Sequence, residues 1–294
     1  MTHLGIAPPG YRLPDALHLG HVSLQVSDMA RSLAFYQAVL GLRVLDRVGA
    51  VASLGAASSD KPLVELTEVA GTQPVGRHAR LGLYHFALLL PSREALGSFV
   101  LHLSTIGVQP GASDHLVSEA LYLRDPDGLG IEVYADRPRD TWRVEALQLK
   151  MATDPLDVAD LVRVASGTPW EGMPEGAMMG HVHLHVGDID EAAAFYHAAL
   201  GLDKVVWQYP GALFMSAGGY HHHLAVNTWA GRGAAPAGAT DARLLAWDVA
   251  LPSQPDVDAV AASLESHGYE VRRDGDDRLA RDPWGTQLRL RRDC

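Results

Sequence analysis

Between His115 and Arg137 the chain reads HLVSEALYLRDPDGLGIEVYADR, a short stretch holding an imidazole, two phenols and several carboxylates. Apolar residues alternate in 118–124, DPDGLG (125–130) is a Pro/Gly turn, and alternation resumes in 131–135. The pattern predicts a strand, a turn and a strand. Ile131 and Val133 then share one face of the second strand, and Glu132 and Tyr134 share the other. A carboxylate projecting from a sheet beside tyrosines is either solvated or held for chemistry. Solvation is the ordinary outcome for an isolated hairpin, so the rest of the chain decides. It offers fifteen histidines, several of them clustered. Alternation puts His181, His183 and His185 on one strand face, and His221 and His223 flank a nearby hairpin. Imidazole accepts protons near neutral pH and is the commonest metal ligand.

The elements that must position these groups come from an internal repeat. Residues 19–42, LGHVSLQVSDMARSLAFYQAVLGL, return at 179–202 as MGHVHLHVGDIDEAAAFYHAALGL, with 13 of 24 positions identical, too many for chance alignment. Each copy predicts a short strand, an Asp N-cap (Asp28 in the first), an amphipathic helix and a glycine stop (Gly41). Three further strands follow each helix: RVLDRVG, AVASLGA and PLVELTEV in one copy, KVVWQYP, ALFMSAG and HHLAVNTW in the other. Two weaker copies run from Leu81 to Ala135 through DPDG and from about Arg243 to Leu290 through DPWG. The chain is therefore expected to hold four βαβββ modules. The division is an N-terminal extension (1–17), modules 1 and 2 as a first domain (18–136), a linker (137–177) and modules 3 and 4 as a second domain (178–294). The linker carries one short helical pattern near DPLDVADLVRVA.

Composition narrows the function. A chain of 294 residues, 47% hydrophobic, can bury a sizeable core. The formal charge of -11, without any basic run, argues against nucleic acid or an anionic membrane as partner. One cysteine, Cys294, excludes disulfide scaffolds and cysteine-based metal sites. The N-terminus lacks a secretory pattern and no apolar run reaches membrane-span length, which predicts a soluble, cytoplasmic protein.

Four modules with HVxLxVxD…FYxxxLGL openings and DPxG turns resemble the vicinal oxygen chelate superfamily, which contains glyoxalase, the bleomycin-resistance proteins and the extradiol dioxygenases. More narrowly, YHFALLLPSR, SDHLVSEALYLRDPDGLGIEVYADRPRDTW and SAGGYHHH resemble the two-domain catechol 2,3-dioxygenase-like proteins of bacteria. The resemblance implies an α+β fold in which paired modules curl into two open, cup-shaped mixed-sheet barrels. In the extradiol branch two histidines and one glutamate form a facial triad that leaves positions open for iron(II) chemistry. By that correspondence His85 and Glu132 of module 2 are metal ligands, whereas module 4 offers Ala246 and Arg289, which cannot bind a metal.

The third ligand depends on which modules share a cup. Pairing of 1 with 2 brings His21, with Glu65 as a fourth, glyoxalase-like ligand. Pairing of 2 with 3 brings His181, favoured by the concentration of imidazole in module 3. The resemblance further implies that His115 and Tyr122 handle catechol protons, with Asp114 and Glu119 as candidates to orient His115. His183, His221, His223, Asn227 and Trp229 are candidate substrate contacts, and His222 reads instead as a surface or hydrogen-bonded core residue. The expected activity is Fe(II)-dependent extradiol (meta) cleavage of a catechol-type aromatic by O2, in a chain for which a homodimer is the default. Two other classes fit the superfamily: a non-redox isomerase or lyase using Ni, Zn or Mn, and a non-catalytic antibiotic-binding protein.

Overall fold

The computed structural model describes residues 4–76, 80–165 and 167–293, so Cys294 lies outside the described residues. Module 1 comprises β1 (His18–Val26), α1 (Met29–Ala38), β2 (Arg43–Val48), β3 (Val51–Gly55) and β4 (Val64–Glu68). Module 2 comprises β5 (Gly82–Leu89), α2 (Arg93–Thr105), β6 (Gly111–Asp114), β7 (Ser118–Arg124) and β8 (Gly130–Asp136). The linker holds a small hairpin, β9 (Val144–Glu145) and β10 (Gln148–Leu149), and then α3 (Val158–Val164). Module 3 has β11 (Met178–His185), α4 (Ile189–Ala193) continued by a π-helical turn (Ala194–Ala199), β12 (Asp203–Val206), β13 (Ala212–Ser216) and β14 (Leu224–Asn227). Module 4 has β15 (Arg243–Leu251), α5 (Gln254–Ser266), β16 (Val271–Asp274), β17 (Asp277–Arg281) and β18 (Gln287–Arg292).

Local chemistry sets these boundaries. Asp28 and Asp188 each accept the backbone N–H three residues on, at 2.9 Å, and so cap α1 and α4. Gly41 closes the first repeat at φ +70°, and an added Cβ there would fall 2.6 Å from Gly172 Cα. Among the described residues no helix is long and apolar enough to cross a membrane.

The strands form two eight-stranded mixed sheets. One has the order β2-β3-β4-β1-β15-β18-β17-β16 and the other β6-β7-β8-β5-β11-β14-β13-β12. Each sheet therefore takes one module from either side of the linker: module 1 pairs with module 4 and module 2 with module 3. The sheets cross the division into 18–136 and 178–294. The seams are antiparallel, β1 against β15 and β5 against β11. Within the second, Ile131, Val133 and Ala135 of β8 join the core beside Leu96, Phe99 and Leu103 of α2, which leaves Glu132 and Tyr134 on the opposite, concave face.

Modules adjacent in sequence are tied differently. The Tyr36 hydroxyl donates to Asp125 in the DPDG turn (3.2 Å), and Tyr196 donates to Asp282 in the DPWG turn (2.9 Å). The repeated FY pair and the DPxG turns are thus two ends of one latch, linking module 1 to 2 and module 3 to 4. Asp125 also accepts the backbone N–H groups of Asp127 and Leu129, at 2.9 and 2.8 Å. Burial, and then the nearby Asp127 charge, push the Asp125 carboxyl up to about 7 in spite of these donors.

A carboxyl raised in the folded state binds a proton that the unfolded chain releases. Its stabilising contribution is complete below about pH 4 and lost as pH rises through about pH 7. Asp125→Asn is expected to remove this slope, which amounts to at most about 1.4 kcal/mol per pH unit inside that window. Urea denaturation of both proteins across the window measures it, and parallel stability curves would contradict the assignment.

Candidate metal centre

At the seam of the second sheet β5 and β11 pair so that His85 faces His183, with a register shift beside them, while parallel pairing of β5 with β8 sets Ala87 against Glu132. These registers bring three side chains of the concave face to one point. His85 Nε2 lies 3.0 Å from Glu132 Oε2, His181 Nε2 lies 3.2 Å from the same oxygen, and the two imidazole nitrogens are 3.4 Å apart. All three residues are buried. Burial lowers the proton affinity of both imidazoles, so the rings are neutral at pH 7. Burial alone would raise Glu132, but His181 and His85 outweigh it and hold the carboxyl well below its ordinary range, hence ionised.

Two nitrogens and a carboxylate oxygen converge on one point. The donor set and its spacing fit a divalent ion. Ligands at about 2.1 Å from a metal and at right angles to one another stand about 3 Å apart. The mutual separations here, 3.0 to 3.4 Å, match one face of an octahedron. Among the described residues this is the group of three His, Cys, Asp or Glu side chains able to hold a metal. His181 Nδ1 is buried without a hydrogen-bond partner among those residues.

The alternative ligands lie elsewhere. His21 and Glu65 belong to the other sheet, because module 1 pairs with module 4; His21 Nδ1 sits 3.2 Å from Asp248, and Glu65 accepts from Ser23 at 3.1 Å. That sheet presents Ala246 and Arg289 at the positions of His85 and Glu132.

The triad opens into a cavity of about 850 Å³. Tyr122, directly across from Glu132 on β7, lines it with His115. His115 Nδ1–H donates to the Ala152 carbonyl (2.6 Å), which leaves Nε2 as acceptor for the Tyr122 hydroxyl (2.6 Å). Burial, reinforced by Glu132, raises Tyr122 well above the ordinary phenol range. Neither carboxylate expected to orient the His115 ring touches it. Asp114 accepts the Leu116 N–H at 2.8 Å, which stabilises Leu116 at φ +68° and thereby aims the preceding residue, and Glu119 instead pairs with Arg93 and Arg137.

The other expected contacts divide. His183 and Trp229 line the cavity. Asn227 stands behind them, donating to His183 Nε2 (2.8 Å) and accepting from His185 Nδ1 (2.7 Å). His221 and His223 do not line it: His221 contacts Asp136 at 3.0 Å, and His223 Nδ1 accepts from Ala217. His222, expected as a surface or hydrogen-bonded core residue, is buried with its Nδ1 2.7 Å from that of His221, and it also stands on the cavity wall with its ring 4.1 Å from that of His181. His221 and His223 miss the wall for a local reason, since β14 begins at Leu224 and strand alternation does not extend back into the HHH run. Met151, Ala152 and Thr153 of the linker also line the cavity, a placement that no motif announces.

The sequence matches the Glyoxalase/Bleomycin resistance protein/Dioxygenase superfamily over residues 18–133 and 178–290, and the chain belongs to that superfamily. Among known proteins it is 42% identical over 269 residues to catechol-2,3-dioxygenase of Bacillus subtilis (strain 168), covering 90% of this chain and 94% of that one. Its fold is similar to that of a putative dioxygenase from the same species (TM-score 0.66, 16% identity, 96% of this chain and 86% of that one). It is also similar to glyoxalase I from Zea mays (TM-score 0.56, 18% identity, 94% and 92%).

Calorimetric titration with Fe(II) or Mn(II) under anaerobic conditions is expected to give one site per chain. Replacing Glu132 or His181 by alanine should weaken it more than about 100-fold, and His21→Ala should leave it intact. Because burial already keeps both imidazoles neutral, affinity should persist below the ordinary histidine range, about pH 6.5, before acid abolishes it. Loss of binding in His21→Ala would refute the assignment.

Proposed function

We propose that this chain is an extradiol dioxygenase that opens a catechol-type ring with O2, using His85, Glu132 and His181 to hold Fe(II). One observation carries the reading: the convergence of the three ligand atoms in a cavity that also holds the His115–Tyr122 pair. The catechol-2,3-dioxygenase relative, similar over nearly the whole chain, supports it. Bound Fe(II) would supply the redox chemistry that joins O2 to the ring.

The chain's own residues do the rest. A catechol must give up protons before its oxygens can chelate, and His115 Nε2 is the basic atom turned toward the cavity. Its tautomer is fixed by the Ala152 carbonyl, and the Tyr122 hydroxyl that bonds to it can relay or hold the proton. His222 presents a second buried imidazole on the wall beside His181. Trp229 and His183 bound the cavity on the side of module 3, and Asn227 fixes the orientation of His183. Both O2 atoms end in the product: the ring carbon–carbon bond next to the diol breaks, and the two ends of the single opened chain become a carboxylate and an aldehyde. A glyoxalase-like set of four ligands needs Glu65, which lies in the other sheet, so the isomerase reading loses that fourth ligand.

The test is anaerobic loading with Fe(II), then catechol and O2, following the yellow ring-opened product and oxygen uptake. His85→Ala and Glu132→Ala are expected to abolish product. His115→Ala should lower kcat by about 100- to 10,000-fold while leaving Fe(II) bound, as expected for loss of a general acid–base group. Tight metal binding without oxygen uptake on any catechol would overturn the proposal.

A further inference from the structure

The cavity is closed at one end, and its size bears on what it takes. Residues alternate along β7 and β8, so Ala120, Tyr122 and Arg124 share the concave face with Tyr134, Glu132 and Gly130. Beyond the triad in one direction the face is plugged. Ala87, Ala120 and Tyr134 pack together, Tyr134 meets the Tyr220 hydroxyl at 2.6 Å, and a Cβ at Gly180 would fall 1.9 Å from the Tyr134 hydroxyl. Ala87, Ala120 and Tyr134 are absent from the cavity lining, whereas Gly130 and Arg124 belong to it. A ring chelated at the triad can therefore extend only away from Tyr134.

In that direction the space is far larger than one dihydroxylated ring. Pockets that take drug-sized ligands hold roughly 300–1,000 Å³, and this one, at about 850 Å³, is near the upper end. Its walls differ. Tyr84, Tyr209, Phe214 and Trp229 form an aromatic wall, with Tyr84 and Trp229 edge to face at 5.8 Å and Tyr209 and Phe214 at 5.6 Å. The facing strands β6 and β8 contribute small residues, Gly111, Ala112 and Gly130. Gly130 has no alternative, since a Cβ there would fall 2.0 Å from the Tyr84 carbonyl oxygen. Gly111 is different: its added Cβ would meet only Tyr122, the Cβ at an ordinary 3.5 Å and the carbonyl oxygen at 4.0 Å, and its φ lies outside the left-handed region. The sheet thus does not require the room kept open at Gly111.

We infer that the substrate is a catechol carrying a neutral hydrophobic arm, of the size of a second ring or a short alkyl chain. The arm lies between the aromatic wall and the small residues of β6 and β8. This inference rests on the ring-cleavage reading for the position of the diol. Apolar arm and aromatic wall leave water together, and an unsubstituted catechol forgoes that gain. Arg124, the cation on this part of the lining, donates to the Gly128 carbonyl at 2.5 Å, and the chain's charge of -11 adds a general bias against anionic arms.

The experiment compares catechol, phenylcatechol, butylcatechol and dihydroxyphenylacetate as substrates of the Fe(II)-loaded enzyme. The same four compounds are titrated anaerobically against it by quenching of tryptophan fluorescence. Phenylcatechol or butylcatechol is expected to exceed catechol at least ten-fold in kcat/KM and to bind correspondingly tighter, with dihydroxyphenylacetate no better than catechol. Gly111→Phe, which fills the space, and Trp229→Ala, at a half-exposed position on the opposite wall, should each reduce that advantage to less than about three-fold. Catechol turned over as well as the armed compounds overturns the inference and leaves ring cleavage standing. If no compound is turned over, the ring-cleavage reading fails, and the order of anaerobic affinities still decides whether the cavity selects a hydrophobic arm. A preference for the carboxylate compound also overturns the inference.

Discussion

Antiparallel pairing of β5 with β11 is the contact on which the proposed centre depends. It joins the two halves of the chain, sets His183 against His85, and brings His181 to within 3.4 Å of a residue 96 positions earlier. Every other feature of the cavity hangs from that seam. Parallel addition of β8 to β5 delivers Glu132, antiparallel addition of β7 delivers Tyr122, and β14 on the far side brings Asn227 behind His183. A slip of one residue at the seam would turn His181 toward the core and replace it with an apolar neighbour.

The other sheet shows what the same scaffold does without the candidate ligand set. It repeats the topology strand for strand, with β1 and β15 as its seam. Where the first cup has His85 and Glu132, this one has Ala246 and Arg289, and the retained His21 faces Asp248. Burial raises the Asp248 carboxyl, and His21, Arg289 and Arg291 oppose that rise. A buried carboxylate held by cations stands where the other cup has the residues proposed to hold one. Fold and chemistry are separable at the level of two side chains, which is why the shared fold of glyoxalases and dioxygenases does not by itself decide between their activities.

Much of this was legible in the residues, and the limits have physical causes. Alternation in 131–135 puts Glu132 on the face opposite Ile131 and Val133, as observed, because a half-buried strand has only two faces. Asp28 and Gly41 delimit α1 as their types require. The module pairing was legible only in part: the imidazole concentration in module 3 favoured pairing 2 with 3, as observed, but four modules built to one pattern present similar seam strands, and tertiary packing selects partners. The HHH run was legible only in part: His222 is the hydrogen-bonded core residue expected, but a turn has no period, so which of the three faces the cavity could not be assigned. The hydrogen bond that fixes His115 comes from a main-chain carbonyl in the linker, and a carbonyl carries no side-chain signature.

The crossed seams also impose an order on synthesis. When modules 1 and 2 have left the ribosome, the inner strands β1 and β5 each expose a row of unpaired N–H and C=O groups, the condition that invites pairing between chains. β11 is made next and closes the edge of β5, so the histidine-bearing cup is complete while β1 still waits for β15. The nascent chain thus satisfies its two sticky edges one after the other, and the cup proposed to bind metal is the first of the two that can form.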